Sequence, residues 1–277
     1  MGKDRISPRK IVKKLLPPLA ADGLRIIAEN SFRKPSPPQW HRVEGGILQG
    51  AWLFLSSSND FAQRMLKCTY EISFTEAIAS RVKPGWVCYD VGAHVGYYSL
   101  MLAKLTGSGG QVHAFEPLAY NLEFIHRHVE RNQQSDIVRV HPLALFDDSG
   151  TASLFASNTQ DSSMAVLKDV RRLNLPFYQR VFERFKEVTV EQQSIDCLVA
   201  LGVIAPPHLI KIDVEGAEVA VLRGAQETLR QTKPVVVAEL HTAANAVECT
   251  GLLTELGYRV LVLEDSKAEL CQILAEQ

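Results

Sequence analysis

The sequence predicts an α/β domain built on a doubly wound, mostly parallel sheet, with a small N-terminal extension and an inserted hairpin or lid. Three observations carry that expectation. From Phe74 onward, short apolar runs of strand length alternate with longer stretches of helical periodicity. A glycine turn, Gly92 to Gly96, joins one apolar run to the next helical stretch, where such sheets admit ligands. Acids stand at or just past the ends of the runs, at Asp90, Glu116, Asp213 and Glu239.

Residues 1–70 read as the extension, helical and basic, with a hinge at Pro35, Pro37 and Pro38 and a hairpin around Gly45-Gly46. Its first 34 residues carry nine Lys/Arg against three acids. A short solvated helix stopped by Pro17-Pro18 accounts for this pattern. The apolar Ile11, Val12, Leu15 and Leu16 leave a second reading, weak peripheral contact with a membrane surface.

Residues 71–277 read as the main domain, with an insertion at about 143–190. Helix Phe74–Val82 leads to strand Trp86–Val91 and helix Val95–Leu105. Strand Gln111–Phe115, helix Leu118–Arg131 and strand Ile137–His141 repeat the unit. Right-handed crossovers between parallel strands put the helices on both faces. Leu143–Ala156 reads as a hairpin turning at Asp148-Ser149-Gly150, and an irregular stretch runs from Ser157 to about Glu187. The alternation resumes with strand His208–Ile212, helix Glu218–Arg230, strand Val235–Leu240 and helix Ala243–Leu256. An antiparallel pair, Tyr258–Leu263 and Leu270–Leu274, closes the sheet.

Bulk properties narrow the function. The chain has 277 residues, 46% hydrophobic and 22% charged, an ordinary globular composition. A formal net charge of −1 argues against a dedicated nucleic-acid binder. Five scattered cysteines without a Cys-x-x-Cys pair fit reduced thiols in a cytoplasmic protein. No apolar run is long enough for a transmembrane segment.

The turn is spaced D-x-G-x-x-x-G, from Asp90 through Gly92 to Gly96, and so differs from the dinucleotide fingerprint G-x-G-x-x-G. An acid at this strand end repels a pyrophosphate and suits a cationic ligand. S-adenosylmethionine, with a sulfonium and an ammonium but no phosphate, is favoured over NAD on that ground. Glu116, 24 residues past Gly92, ends the next strand, where a carboxylate can accept both ribose hydroxyls.

The stretch IKIDVEGAE, Ile210–Glu218, puts three carboxylates after an apolar run. Asp213 is expected as a pocket acid, either a base or a contact to a ligand ammonium or acceptor hydroxyl, with Glu215 second. Glu218 is expected to complement a helix dipole. His241, after the following strand, is a further candidate base. Asp213, Glu239 and His241 also offer oxygen and nitrogen ligands for a divalent metal, although no tight ligand spacing marks such a site.

Four blocks in order then carry a resemblance: DVGAHVGYYSL (Asp90–Leu100), AFEPLAYNLEFI (Ala114–Ile125), SIDCLV (Ser194–Val199) and IKIDVEGAEVAVLRGA (Ile210–Ala225). Together with Tyr70-Glu71 upstream and Pro234–Glu239 downstream, they resemble the successive motifs of FkbM-type methyltransferases. The resemblance implies a Rossmann-like fold of the class I methyltransferase type, S-adenosylmethionine as donor, and a hydroxyl of a sugar or natural product as acceptor. By position it implies donor binding by Asp90, Gly92, Ala93, His94, Gly96 and Glu116, and an acidic motif at Asp213 and Glu215. His94 stands where the family usually has Asn, and adds a titratable group beside the pocket.

Within the insertion, Tyr178, Phe182 and Phe185 fall at helical spacing. They suit an amphipathic helix packed on the core or on a homodimer partner, or a lid over a sugar or ring substrate with Asp161, Ser162 and Ser163 near the acceptor. The expected activity is O-methylation of a small-molecule or glycan acceptor, with no nucleic-acid substrate. The rival readings are a donor-binding regulatory or scaffold protein without turnover and a nicotinamide-dependent oxidoreductase.

Overall fold

The computed structural model describes residues 36–57, 60–157, 165–167, 185–263 and 271–277. The basic stretch before residue 35, the triad Asp161, Ser162 and Ser163, and the aromatics Tyr178 and Phe182 lie outside the described residues.

Strands β1 (Gln39–Arg42) and β2 (Trp52–Leu55) pair antiparallel across the turn that holds Gly45-Gly46. Helices α1 (Asp60–Leu66) and α2 (Ile72–Ala79) follow. The main domain then runs β3 (Val87–Val91), α3 (Tyr97–Thr106), β4 (Gln111–Phe115), α4 (Ala119–Arg131) and β5 (Val138–His141). The inserted region holds β6 (Ala144–Leu145), β7 (Gly150–Ser157), β8 (Ala165–Leu167) and β9 (Phe185–Gln193). After it come α5 (Ile195–Ala200), β10 (Leu209–Ile212), α6 (Glu218–Arg223), α7 (Gln226–Thr232) and β11 (Val235–Leu240). Helix α8 (Ala243–Glu255) and strands β12 (Arg259–Leu263) and β13 (Cys271–Glu276) complete the chain.

The main sheet has the order β5-β4-β3-β10-β11-β13-β12. Its first five strands are parallel, and β13 enters antiparallel between β11 and β12. Alternate residues of each strand feed two separate cores. Cys88, Val112, Leu209 and Val237 join the cluster that includes α3 and the N-terminal hairpin. Tyr89, Phe115, Ile210 and Val236 join the cluster on the opposite face. This two-sided burial explains why the central strands read as unbroken apolar runs.

The hairpin docks onto α4 through side chains rather than through the sheet. His128 is buried, with its Nδ1 2.7 Å from the Val95 carbonyl and its Nε2 accepting the Phe54 N–H at 2.7 Å. Burial pushes its pKa down to about 4, so the ring is neutral and this donor–acceptor pair defines one tautomer. Asn132 adds a two-way clasp on the Trp52 N–H and carbonyl, at 2.8 Å each.

Two expectations for the insertion are corrected. The turn at Asp148–Gly150 does not close a hairpin of its own flanks. Strand β9 lies between β6 and β7, giving the order β6-β9-β7-β8. The helical spacing read through Phe185 also fails at its C-terminal end, because residues 185–193 form β9. The β-branched Val188, Thr189 and Val190 fit a pleated strand, and eight cross-strand pairs with β7 outweigh the helical period. The helix expected over Glu218–Arg230 is two helices, broken at Gly224-Ala225. A Cβ on Gly224 would stand 2.0 Å from the Phe146 carbonyl oxygen, so the break is where the insertion's entry strand presses on the helix.

Candidate active site

The chain leaves β3 for β4 and β5, then crosses back to β10 on the other side of β3. The connections leaving β3 and β10 therefore diverge, which opens a crevice above their carboxyl ends. The two backbones nearly touch at its floor. Gly92 has φ +74°, and a Cβ there would lie 1.8 Å from the Asp213 carbonyl oxygen. The Gly92 and Ala93 amides both donate to the Phe115 carbonyl at 3.0 Å, pinning the turn to the end of β4. Gly96, at φ +83°, starts α3.

Register places the charged residues. Lys211 of β10 pairs with Asp90 of β3, and both point to the α3 face. Lys211 Nζ stands 3.0 Å from Asp90 Oδ1, donates to the Gly92 carbonyl at 2.9 Å, and lies 3.6 Å from Asp213 Oδ2. Burial opposes its charge, but Asp90 and Asp213 outweigh burial and hold its pKa up at about 12. Asp90 is fully buried, and its Oδ2 accepts the Ser99 hydroxyl at 2.6 Å. Its charge is thus matched inside the protein by Lys211, which also holds the Gly92 carbonyl of the glycine turn.

Glu116 follows β4 and is held at both oxygens. Oε2 accepts the His94 N–H and Oε1 the Leu118 N–H, each at 2.9 Å. Burial nonetheless pushes its pKa up to about 7, against these hydrogen bonds. The titratable charge expected of His94 is absent, because burial pushes its pKa down to about 4. What His94 supplies is its backbone amide, presented at φ 52°.

On the other rim, His241 follows β11 and is oriented by Glu218. Its Nδ1 is 2.6 Å from Glu218 Oε1, and that same oxygen accepts the Gly216 N–H at 2.9 Å. Asn245 hydrogen-bonds Glu218 Oε2. Glu218 is fully buried, so the role expected of it at a helix N-terminus is secondary to fixing His241. His241 Nε2 then faces Glu215 Oε2 at 3.4 Å, Asp213 Oδ1 at 3.6 Å and Glu239 Oε1 at 3.9 Å. Burial disfavours the imidazolium, but Glu215 and Glu218 outweigh it and raise the pKa well above the usual histidine range. Burial pushes Glu215 up to about 7, and burial with the charges of Glu71 and Asp213 raises Glu239 strongly.

The sequence residues Asp213, Glu215 and His241 therefore meet, and Gly92, Ala93, His94 and Glu116 line the adjoining floor. Sequence reasoning missed Lys211 and gave no role of its own to Glu71 of the Tyr70-Glu71 pair or to Tyr98. Glu71 precedes α2 at φ 41°, and its Oε2 accepts the Tyr98 hydroxyl at 2.7 Å. Burial and the charge of Asp213 push its pKa up to about 7. Lys211 carried a readable signal: a lysine inside an apolar, two-sided strand needs a buried counter-ion.

The family model for the methyltransferase FkbM domain matches residues 90–260, the span from the glycine turn into β12. The chain belongs to the FkbM methyltransferase family. The 31-O-demethyl-FK506 methyltransferase FkbM of Streptomyces tacrolimicus is 27% identical over 202 residues, covering 66% of this chain and 76% of that protein. The hexuronic acid methyltransferase AglP of Haloferax volcanii is 37% identical over 68 residues, 24% of this chain and 28% of its own length. In structure, the chain is similar to a methyltransferase FkbM from Methylobacillus flagellatus KT, with a TM-score of 0.50 and 14% identity. That match covers 80% of this chain and 63% of the other, and shows a shared fold. This FkbM-type methyltransferase thus has the Rossmann-like, class I arrangement expected of it. Among its described residues, no helix is long and apolar enough to cross a membrane.

Proposed function

We propose that this FkbM-type protein transfers a methyl group from S-adenosylmethionine to a hydroxyl of a sugar or natural-product small molecule. The observation that carries the reading is Glu116, held by two backbone amides at the end of β4 beside the Cβ-free turn at Gly92. That is where the ribose of a nucleoside ligand would meet a carboxylate, with its chain passing over Gly92 and Ala93. The two relatives, methyltransferases of a demethylated FK506 and of a hexuronic acid, support a hydroxylated acceptor.

The bound donor supplies a sulfonium methyl open to nucleophilic displacement. The acceptor oxygen forms the O–CH3 bond as the S–CH3 bond breaks, and the sulfur leaves as a neutral thioether. The chain's part is to hold the hydroxyl in line and take its proton. Glu215 takes that proton in this reading: its pKa of about 7 sits near the operating pH, and its carboxyl is partly open to the crevice. Asp213 and His241 orient the hydroxyl, with Glu218 fixing the imidazole.

The test is a methyl-transfer assay over hydroxylated sugars and macrolide-type alcohols, with calorimetric titration of S-adenosylhomocysteine on the same protein. Glu215→Gln is expected to lower kcat by about 100- to 10,000-fold, with product-analogue affinity kept. Absence of S-adenosylhomocysteine binding by the wild type would refute the donor. Binding without turnover of any acceptor would favour a donor-binding scaffold.

A further inference from the structure

Asp213, Glu239 and His241 place one ligand atom each within 4.8 Å of the other two. The three come from the ends of adjacent parallel strands, β10 and β11, so the sheet itself sets their spacing. We propose that they hold a divalent cation at the acceptor side of the crevice, deepening the reading above with a metal site in the same pocket.

Distances favour an ion over a set of hydrogen bonds. Where His241 makes a hydrogen bond, at Nδ1 to Glu218, the separation is 2.6 Å. Its other nitrogen has no such partner: the carboxylate oxygens facing Nε2 stand off at 3.4, 3.6 and 3.9 Å. Two ligands bound about 2.1 Å from one octahedral ion lie about 3.0 Å apart when adjacent and about 4.2 Å apart when opposite. The separations of Nε2 from Asp213 and Glu239, 3.6 and 3.9 Å, lie between those two values, and all three ligand atoms lie within 4.8 Å of one another.

The surroundings are those of a ligand set rather than a loose acidic patch. The His241 side chain is only 10% exposed, and its ring is locked with Nε2 aimed into the cluster. A buried carboxylate on the distal ring nitrogen is the usual outer support of a metal-binding histidine. Glu239 is held in the same way, with Oε2 accepting the Gln272 amide at 2.6 Å and Oε1 turned toward His241. Two carboxylates with one imidazole nitrogen suit Mn2+ better than Mg2+, which takes oxygen ligands.

Mn2+ is the probe. The full chain is stripped with chelator and titrated with Mn2+, with free ion read by electron paramagnetic resonance. S-adenosylhomocysteine binding is measured by calorimetry on the same samples. The expected result is one Mn2+ per chain for the wild type, weakened at least tenfold in Glu239→Gln and in His241→Asn. Glu239→Gln keeps an acceptor for Gln272, so retained S-adenosylhomocysteine binding certifies its fold. No stoichiometric Mn2+ at millimolar concentration, or equal affinity in folded Glu239→Gln, overturns the site. The two readings fail separately: Mn2+ bound without S-adenosylhomocysteine leaves the ion site and removes the donor, and the reverse removes only the ion.

Discussion

Replacing Lys211 with methionine removes the cation from a position where water cannot substitute for it. Asp90 has no exposed surface, and the loss leaves its carboxylate with the Ser99 hydroxyl as its remaining close partner. Breaking a buried ion pair from one side costs about 3–5 kcal/mol. Methionine matches the aliphatic stem of lysine, so packing should change little, and the cost should be electrostatic. At about 3 °C per kcal/mol for a domain of this size, the melting temperature should fall by roughly 9–15 °C. The informative experiment is a double-mutant cycle with Asp90→Asn, which keeps an acceptor for Ser99 and removes the charge. Urea denaturation followed by circular dichroism should show a coupling of at least about 2 kcal/mol, with the double variant more stable than Lys211→Met alone. Lys211 also holds the Gly92 carbonyl, so S-adenosylhomocysteine affinity should fall with the Lys211→Met change and return incompletely in the double variant. Two single effects that simply add, or a loss below about 1 kcal/mol for Lys211→Met, would refute the pairing as the anchor of the turn.

Glu116→Gln should weaken S-adenosylhomocysteine by about a hundredfold or more, because two hydrogen bonds to a charged acceptor are worth about 1.5–3 kcal/mol each and 1.4 kcal/mol is tenfold. In the wild type the ionised Glu116 is the form that accepts hydroxyl donors, and burial places its pKa at about 7 in the free protein. Affinity should therefore fall as pH drops through 7 and level off above it. Calorimetry that finds this titration unchanged in Glu116→Gln would assign it to another group. Gly92→Ala should lower the melting temperature steeply or prevent soluble expression, by about 3 kcal/mol or more, since the new methyl meets the Asp213 carbonyl at a left-handed backbone position. A normal melting temperature for that variant would contradict the close approach of β3 and β10.

The main sheet was legible because its signals are local. Each βαβ unit shows its own change of period, and Gln111–Phe115 and Val235–Leu240 fall where the apolar runs place them. The insertion was not legible for the opposite reason. Its strand β9 pairs with β7 across an intervening stretch and with β6 from the parallel side, and neither partner leaves a mark in the residues next to it. The break between α6 and α7 has the same origin: Gly224 reads as a weak point in a helix, and only the approach of Phe146 shows why it is there.

The site was legible in composition and only partly in assignment. Acid at strand ends identified the crevice, but one letter code covers three physical situations. Asp90 is neutralised by a lysine that alternation places beside it, Glu116 is seated by backbone amides, and Glu218 is turned away from the crevice to hold a histidine. The discriminating feature in each case is the partner, which lies one strand or one connection away. Lys211 was the one partner the sequence could have named. In IKI the lysine occupies an inward position of a strand buried on both faces, and desolvating an unpaired ammonium there costs several kcal/mol, a large part of a domain's whole stability. It must therefore meet an acid on a neighbouring strand, and Asp90, at the end of the β-strand before the glycine turn, was a candidate already in view. That inference pairs Asp90 with Lys211 from the sequence alone and ties the glycine turn to the strand beside it.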